Sequence, residues 1–162
     1  MGSAVPEGEA RAAEALERAT NVPDLLRATA VALVEVVDAQ ACSISRILGD
    51  ALVIVTEFAR GGESLTLGQG YLVTDFPLTQ EVIRTGEPRS VTLFDEGRDP
   101  QEAAVLEELG FDGVLMMPLS VGGECWALVE IYTRGRATIP PEHKALAEGL
   151  VARAGVLVEQ LQ

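Results

Sequence analysis

Two patterns alternate along this chain: apolar residues three or four apart, and near-continuous apolar runs broken by glycine. The first marks amphipathic helices and the second marks strands buried on both faces. Helical spacing covers Glu9–Thr20, then Asp24–Asp38, with Asn21 and Pro23-Asp24 as punctuation between them. Strand-like runs over Ala41–Leu48 and Ala51–Phe58 flank Gly49-Asp50 and predict a hairpin. Gly61–Gly70 reads as a loop or short strand. A short helix follows Pro77, carries Leu78, Val82 and Ile83, and ends at Gly86, with Arg89–Leu93 an edge strand beyond Glu87-Pro88. A second short helix, Gln101–Leu109, is capped by Gly110.

The centre of the pattern is GVLMMPLSVGGECWALVEIYT, residues 113–133. Gly122-Gly123 supplies the positive φ angles of a two-residue primed turn, which pairs Val121 with Glu124. Carried back without interruption, that register pairs Leu119 with Trp126, Met117 with Leu128 and Leu115 with Glu130. Side chains alternate across a strand, so one face takes Val114, Met116, Pro118, Cys125, Ala127, Val129 and Ile131, and suits close-packed helices. The other takes Leu115, Met117, Leu119, Trp126 and Leu128, then the polar-tipped Glu130 and Tyr132.

The periodic stretch Ala145–Leu161 closes the chain, in a terminal helix taken as 142–161. It bears two apolar stripes, one through Leu146, Leu150, Ala154, Leu157 and Leu161, the other through Ala147, Val151, Gly155 and Val158. The helix over 24–38 is likewise double-striped, with Leu26, Ala30, Leu33 and Val37 beside Leu25, Thr29, Ala32 and Val36. Each exceeds what one sheet face buries. The surplus predicts either a homodimeric helical bundle, the reading adopted, or helices filled within one subunit.

Composition narrows the function classes. The 162 residues, 48% hydrophobic and 23% charged, fit one soluble domain, read as a flexible lead over 1–8 and a domain over 9–162. Met1-Gly2-Ser3 reads as an expression scar on an excised domain. Net charge is −13 and the pI about 4.4, which disfavours nucleic acid and anionic membrane as partners. Without a spanning run or leader, a cytoplasmic protein is expected. Cys42 and Cys125 sit in strand runs, and with His143 they match no metal spacing. Ser43 and Ser45 have no histidine partner for nucleophilic work.

GFDGVLMMPLSVGGECWALVEIYT followed by IPPEHKALAEGLVARAGVLVEQ resembles the second half of GAF domains. There, a glycine-led strand ending V-P-L, a turn and a G-V-L-E-L-Y strand precede a closing helix that opens P-E-E. The middle, GQGYLVTDFPLTQEVIRTGEPRSV, is similar to the stretch in which a short helix ends in T-G-E-P before an edge strand. The resemblance spans roughly 22–160 and implies an α+β, GAF/PAS-like fold: an antiparallel sheet with terminal helices on one face and short helices and loops over the other. It implies a sensory, non-catalytic domain that dimerises through its terminal helices, binds a small molecule and relays to a kinase, cyclase or phosphatase module.

Candidate lining residues are Trp126, Glu130, Tyr132, Met117 and Phe76, with Tyr71–Leu78 and the short helices as a roof. No cofactor is expected, since the cyclic-nucleotide motif N-K-F-D-E and a Cys-His dipeptide are absent, no front-side helix carries cysteine, and His143 is misplaced for heme. Ala127 replaces a usual glycine and Pro140 a usual Ser/Thr cap. The alternatives are a thiol-dependent reductase of a small sulfoxide, similar to the free-methionine sulfoxide reductases, and a ligand-free dimerisation scaffold. The acidic run Asp95–Asp99 is read as a solvated loop or a lid.

Overall fold

A computed structural model describes residues 4–62, 64–65, 67–135 and 138–162, with side chains from Gly8 onward. Its helices are α1 (Ala4–Glu17), α2 (Val22–Val37), α3 (Pro77–Thr85), α4 (Pro100–Leu109) and α5 (Pro141–Leu161). Its strands are β1 (Ala41–Leu48), β2 (Ala51–Ala59), β3 (Gly70–Leu72), β4 (Arg89–Thr92), β5 (Gly113–Val121) and β6 (Glu124–Thr133). All pairings are antiparallel, in the order β3-β2-β1-β6-β5-β4. The fold is therefore α+β, as the sequence predicts. Helix α1 begins at Ala4, inside the segment read as a lead.

Local chemistry accounts for the helix ends. Asn21 caps α2 by accepting the Asp24 N–H at 2.9 Å, and Asp38 ends it in the left-handed region at φ 58°. Gly86 (φ 73°) and Gly110 (φ 82°) end α3 and α4. Pro140 offers α5 no side-chain cap, as its place in the sequence implies. Within the run read as a solvated loop or lid, Asp99 is the N-cap of α4, its carboxylate accepting from Gln101 N at 3.0 Å and Glu102 N at 3.1 Å. Losing such a cap costs about 1 kcal/mol. Asp99→Ala is expected to lower the unfolding free energy by about that much in urea titration, with the slope unchanged.

The central hairpin carries the largest correction. Gly122 (φ 61°) and Gly123 (φ 87°) form the turn, and Val121 faces Glu124. Ser120 then faces Cys125, but Leu119 faces Ala127, so Trp126 is an unpaired extra residue on β6. A one-residue slip moves a strand's whole side-chain set to the opposite face. Beyond the bulge Met117 pairs with Val129 and Leu115 with Ile131. Leu115, Met117 and Leu119 thus join Ala127, Val129 and Ile131 on the helix side, while Val114 and Met116 join Leu128 and Tyr132 in front. The two faces of β5 are the reverse of those read from an uninterrupted register. For β6 beyond the bulge, the faces are as read.

Behind the sheet, α2 and α5 pack on β1, β2 and β5, and α1 lies against both helices. Leu16 of α1 is fully buried among them, and Arg153 of α5 pairs with Glu17. Most of the double-stripe surplus is therefore absorbed by α1 and by α2–α5 contact, the alternative weighed against the dimer. Val156, 45% exposed, remains outside. In front, α3, α4 and the loop before β3 cover a second core around Leu106, Phe111 and Met116. The Glu57 carboxylate holds that loop by accepting the Leu65 and Leu67 N–H groups.

Candidate functional site

Between the front of the sheet and its helical cover lies a cavity of about 230 Å³. Its floor is Glu130 and Tyr132 of β6, Ser45 of β1, and Leu52 and Ile54 of β2. Gln69, Tyr71 and Phe76 form one wall, with the two rings edge to face at 5.9 Å between centroids. Thr79 of α3 and Glu102, Val105, Glu108 and Leu109 of α4 complete it. A larger groove of about 730 Å³ runs between α1 and α2 near the start of α5. Its described lining is alanines such as Ala15 and Ala28 with charged helix-surface residues such as Arg27 and Glu35. The smaller cavity gathers buried Thr79, Glu102 and Tyr132, and convergent polar groups in an apolar surround mark a binding site.

Three of the five residues singled out in the sequence meet here: Glu130, Tyr132 and Phe76. Met117 does not, because the bulge turns it to the helix side, where it is fully buried. Trp126 is the bulged residue itself and packs at the edge of the helix-side core. The Arg46 guanidinium lies 4.2 Å from its ring centroid and donates to the Trp126 carbonyl at 2.8 Å.

Sequence reasoning did not single out Glu102 and Thr79. Glu102 is 3% exposed, and its carboxylate accepts the Thr79 hydroxyl at 2.8 Å. A signal was present: Glu102 lies four residues before buried Leu106, and Thr79 three before buried Val82. A polar residue on the apolar stripe of a short helix is aimed at the core.

The cavity's electrostatics follow from burying acids beside acids. Burial, then the charge of Glu102, pushes the Glu130 carboxyl up to about 8, and a hydrogen bond from the Tyr132 hydroxyl at 3.3 Å only partly offsets this. Burial, with Asp99 adding, also raises Glu102 above the ordinary carboxylate range against the pull of Thr79. Tyr132 is driven well above its usual value by burial and by Glu130. The Ser43 hydroxyl lies close enough to damp that rise, yet makes no hydrogen bond of sound geometry. Among the described lining residues none is basic. Glu130 is only half-buried because the cavity's own space lies beside it.

Neither cysteine lines the cavity. Cys42 is fully enclosed, and burial raises its thiol far above the ordinary value. Burial pushes Cys125 up to about 11. The thiolate is the reactive form. In native protein at pH 7.5 Cys42 is expected to resist an aromatic disulfide reagent and Cys125 to react slowly, both reacting at once after denaturation. Fast native labelling of either would contradict this environment. Among the described residues no acid, histidine or cysteine cluster suits a metal ion, and no helix is long and apolar enough to cross a membrane.

Comparison with known proteins places this geometry. The GAF domain family model matches residues 21–158, and no curated protein matches the sequence. A phycoerythrobilin-bound GAF domain from a cyanobacterial phytochrome superposes with a TM-score of 0.81 at 14% identity, over 97% of this chain and 95% of that one. The chromophore-binding domain of Stigmatella aurantiaca phytochrome gives 0.81 at 14% identity, over 94% of this chain and 59% of that one. That of an unusual R. palustris bacteriophytochrome gives 0.85 at 10% identity, over 99% and 63%. The chain thus spans under two thirds of the length of these chromophore-binding domains. At such identities the likeness is one of fold.

Proposed function

We propose, since this chain belongs to the GAF domain family, that it is a non-catalytic sensory and regulatory domain. It binds a small molecule in the front cavity, acts in the cytoplasm as a homodimer through its terminal helices, and passes ligand occupancy to an attached kinase, cyclase or phosphatase module. The observation that carries this reading is the cavity in which Glu102, Glu130, Tyr132 and Thr79 converge under two short helices. Glu130 and Tyr132 stand on β6, which pairs with β5, and α5 packs on β5 from behind. A ligand pressing on the front of this hairpin therefore acts on the element that supports the closing helix. Val156 and the groove between α1 and α2 offer surface for a second copy.

The residues present do not fit a bilin. A linear tetrapyrrole carrying two carboxylates needs more room than about 230 Å³, a basic partner for its acids and, for covalent attachment, a cavity cysteine. The described lining supplies none of these. The two shielded thiols argue against the sulfoxide reductase. We therefore propose no cofactor.

Native mass spectrometry on freshly purified protein, with a thermal-shift metabolite screen, tests the binding reading; a cavity that never takes a compound would leave only a scaffold. Light scattering at tens of micromolar is expected to return twice the chain mass. A monomer there would remove the pairing.

A further inference from the structure

We propose that the ligand of the front cavity is a small organic cation, a primary or substituted ammonium held between the Glu102/Glu130 pair and the Tyr71/Phe76 rings. This deepens the sensory reading and rests on it. Two independent features point the same way. The first is the pair of acids that line one cavity from α4 and β6, with Glu108 also in the lining and no basic group among the described lining residues. A buried pair of this kind is satisfied by a metal, a shared proton or an incoming cation.

The second feature is the aromatic wall of the same cavity. Tyr71 and Phe76 stand edge to face, so their ring faces and edges form a corner rather than a stack. Aromatic corners beside carboxylates favour alkylammonium groups, whose charge is spread over a hydrophobic shell. Size limits the occupant further. The cavity lies below the roughly 300–1,000 Å³ typical of drug-sized ligands. Ser45 of β1 adds a hydroxyl to the floor.

Binding would move a proton. The groups that set the charge around Glu130 are Glu102 and Glu108 of α4, Tyr132 on its own strand, Tyr71 of β3, and Cys42 behind it on β1. All are acidic or neutral; burial first, and then the charge of Glu102, favours the protonated Glu130 carboxyl at neutral pH when no ligand is bound. A permanently charged ammonium ionises that carboxyl, breaking its O–H bond and sending the proton to solvent. A primary ammonium gives the same balance at neutral pH: whether it enters charged, or sheds its own proton to solvent and takes the carboxyl's as the N–H bond forms and the O–H bond breaks, one proton per ligand reaches solvent.

The test uses the whole chain and probes matched in shape but differing in charge: choline with 3,3-dimethyl-1-butanol and 3,3-dimethylbutanoate, and n-butylammonium with 1-butanol and pentanoate. Affinity is followed by calorimetry in buffers of differing ionisation enthalpy and by amide chemical shifts of α4 and β6. Cations are expected to bind at least tenfold more tightly than their neutral partners, with proton release for choline near pH 7. Glu130→Gln should weaken choline tenfold or more and abolish that release, while the distant, exposed Glu159→Gln changes neither. If neutral or carboxylate probes shift the cavity amides as strongly as the cations, the ligand class is wrong and the binding reading stands. Cation binding that survives Glu130→Gln but vanishes in 0.5 M salt is attraction to an acidic surface and overturns the assignment. If no probe of any charge moves the cavity amides, both readings fall together.

Discussion

Glu130→Gln is expected to stabilise the empty domain at pH 8 and to flatten its response to pH. In the unfolded chain this carboxyl ionises near 4.5, while in the fold it is pushed up to about 8, first by burial and then by Glu102. Below about 4.5 it is protonated in both states and adds no pH dependence. Between there and about 8 the unfolded chain has released the proton and the native chain has kept it. The native state then binds more protons, so stability falls as pH rises. Above about 8 both states are ionised and the penalty is complete, at most about 5 kcal/mol. Glutamine keeps the shape and cannot ionise, so that penalty disappears.

Melting curves from pH 5 to 8.5 check this. The wild-type midpoint should drop steadily across the range and the variant's should drop much less. Self-repulsion within a chain of net charge −13 also grows with pH, but it is nearly common to both proteins and cancels in the difference. Parallel curves would mean that Glu130 is ionised in the native fold, and the electrostatic account of the cavity would then fail.

Gly155→Ala is the second large effect, expected to destabilise by about 3 kcal/mol or more. Glycine inside a helix normally gains stability on becoming alanine, by about 1 kcal/mol. Here a Cβ would lie 2.1 Å from the Ser120 carbonyl oxygen and 3.3 Å from its carbon. Both are backbone atoms of β5, so no rotamer relieves the overlap; α5 must lift from the sheet or tilt. Gly149, on the same helix, has nothing within 4 Å of an added Cβ. Gly149→Ala should therefore follow the ordinary rule and stabilise. Urea titration of the two variants, with opposite signs expected, separates a packing effect from a propensity effect. Because α5 rests on the hairpin that carries Glu130 and Tyr132, Gly155→Ala should also weaken any cavity ligand. Equal stabilisation by both alanines would place α5 further from β5 than it stands.

This contact bears on Ala127 as well. Close approach of the closing helix to the sheet is secured by the missing side chain on the helix, at Gly155. Ala127 on the strand is accommodated, fully buried in the helix-side core.

How much of this was legible in the sequence differs from element to element. The helices of the chain, the two hairpin turns and the glycine caps were readable because each depends on neighbours within a few residues. Asn21, Gly86, Gly110 and Gly122-Gly123 act through local φ angles and hydrogen bonds, which sequence spacing specifies directly. The front position of Glu130 and Tyr132 was readable for the same reason, since alternation along β6 is unbroken after Trp126. What only the tertiary structure decided is the register across the bulge. Nothing local in LSVGGECWA marks Trp126 as unpaired; its carbonyl and ring are met by Arg46, eighty positions away in the chain. That one residue turned Met117 from the cavity to the helices. The meeting of Glu102 with Glu130, and the packing of α1 over α2 and α5, are likewise long-range outcomes. Periodicity reports that a face is apolar, but what covers that face is chosen by the packing of the whole chain.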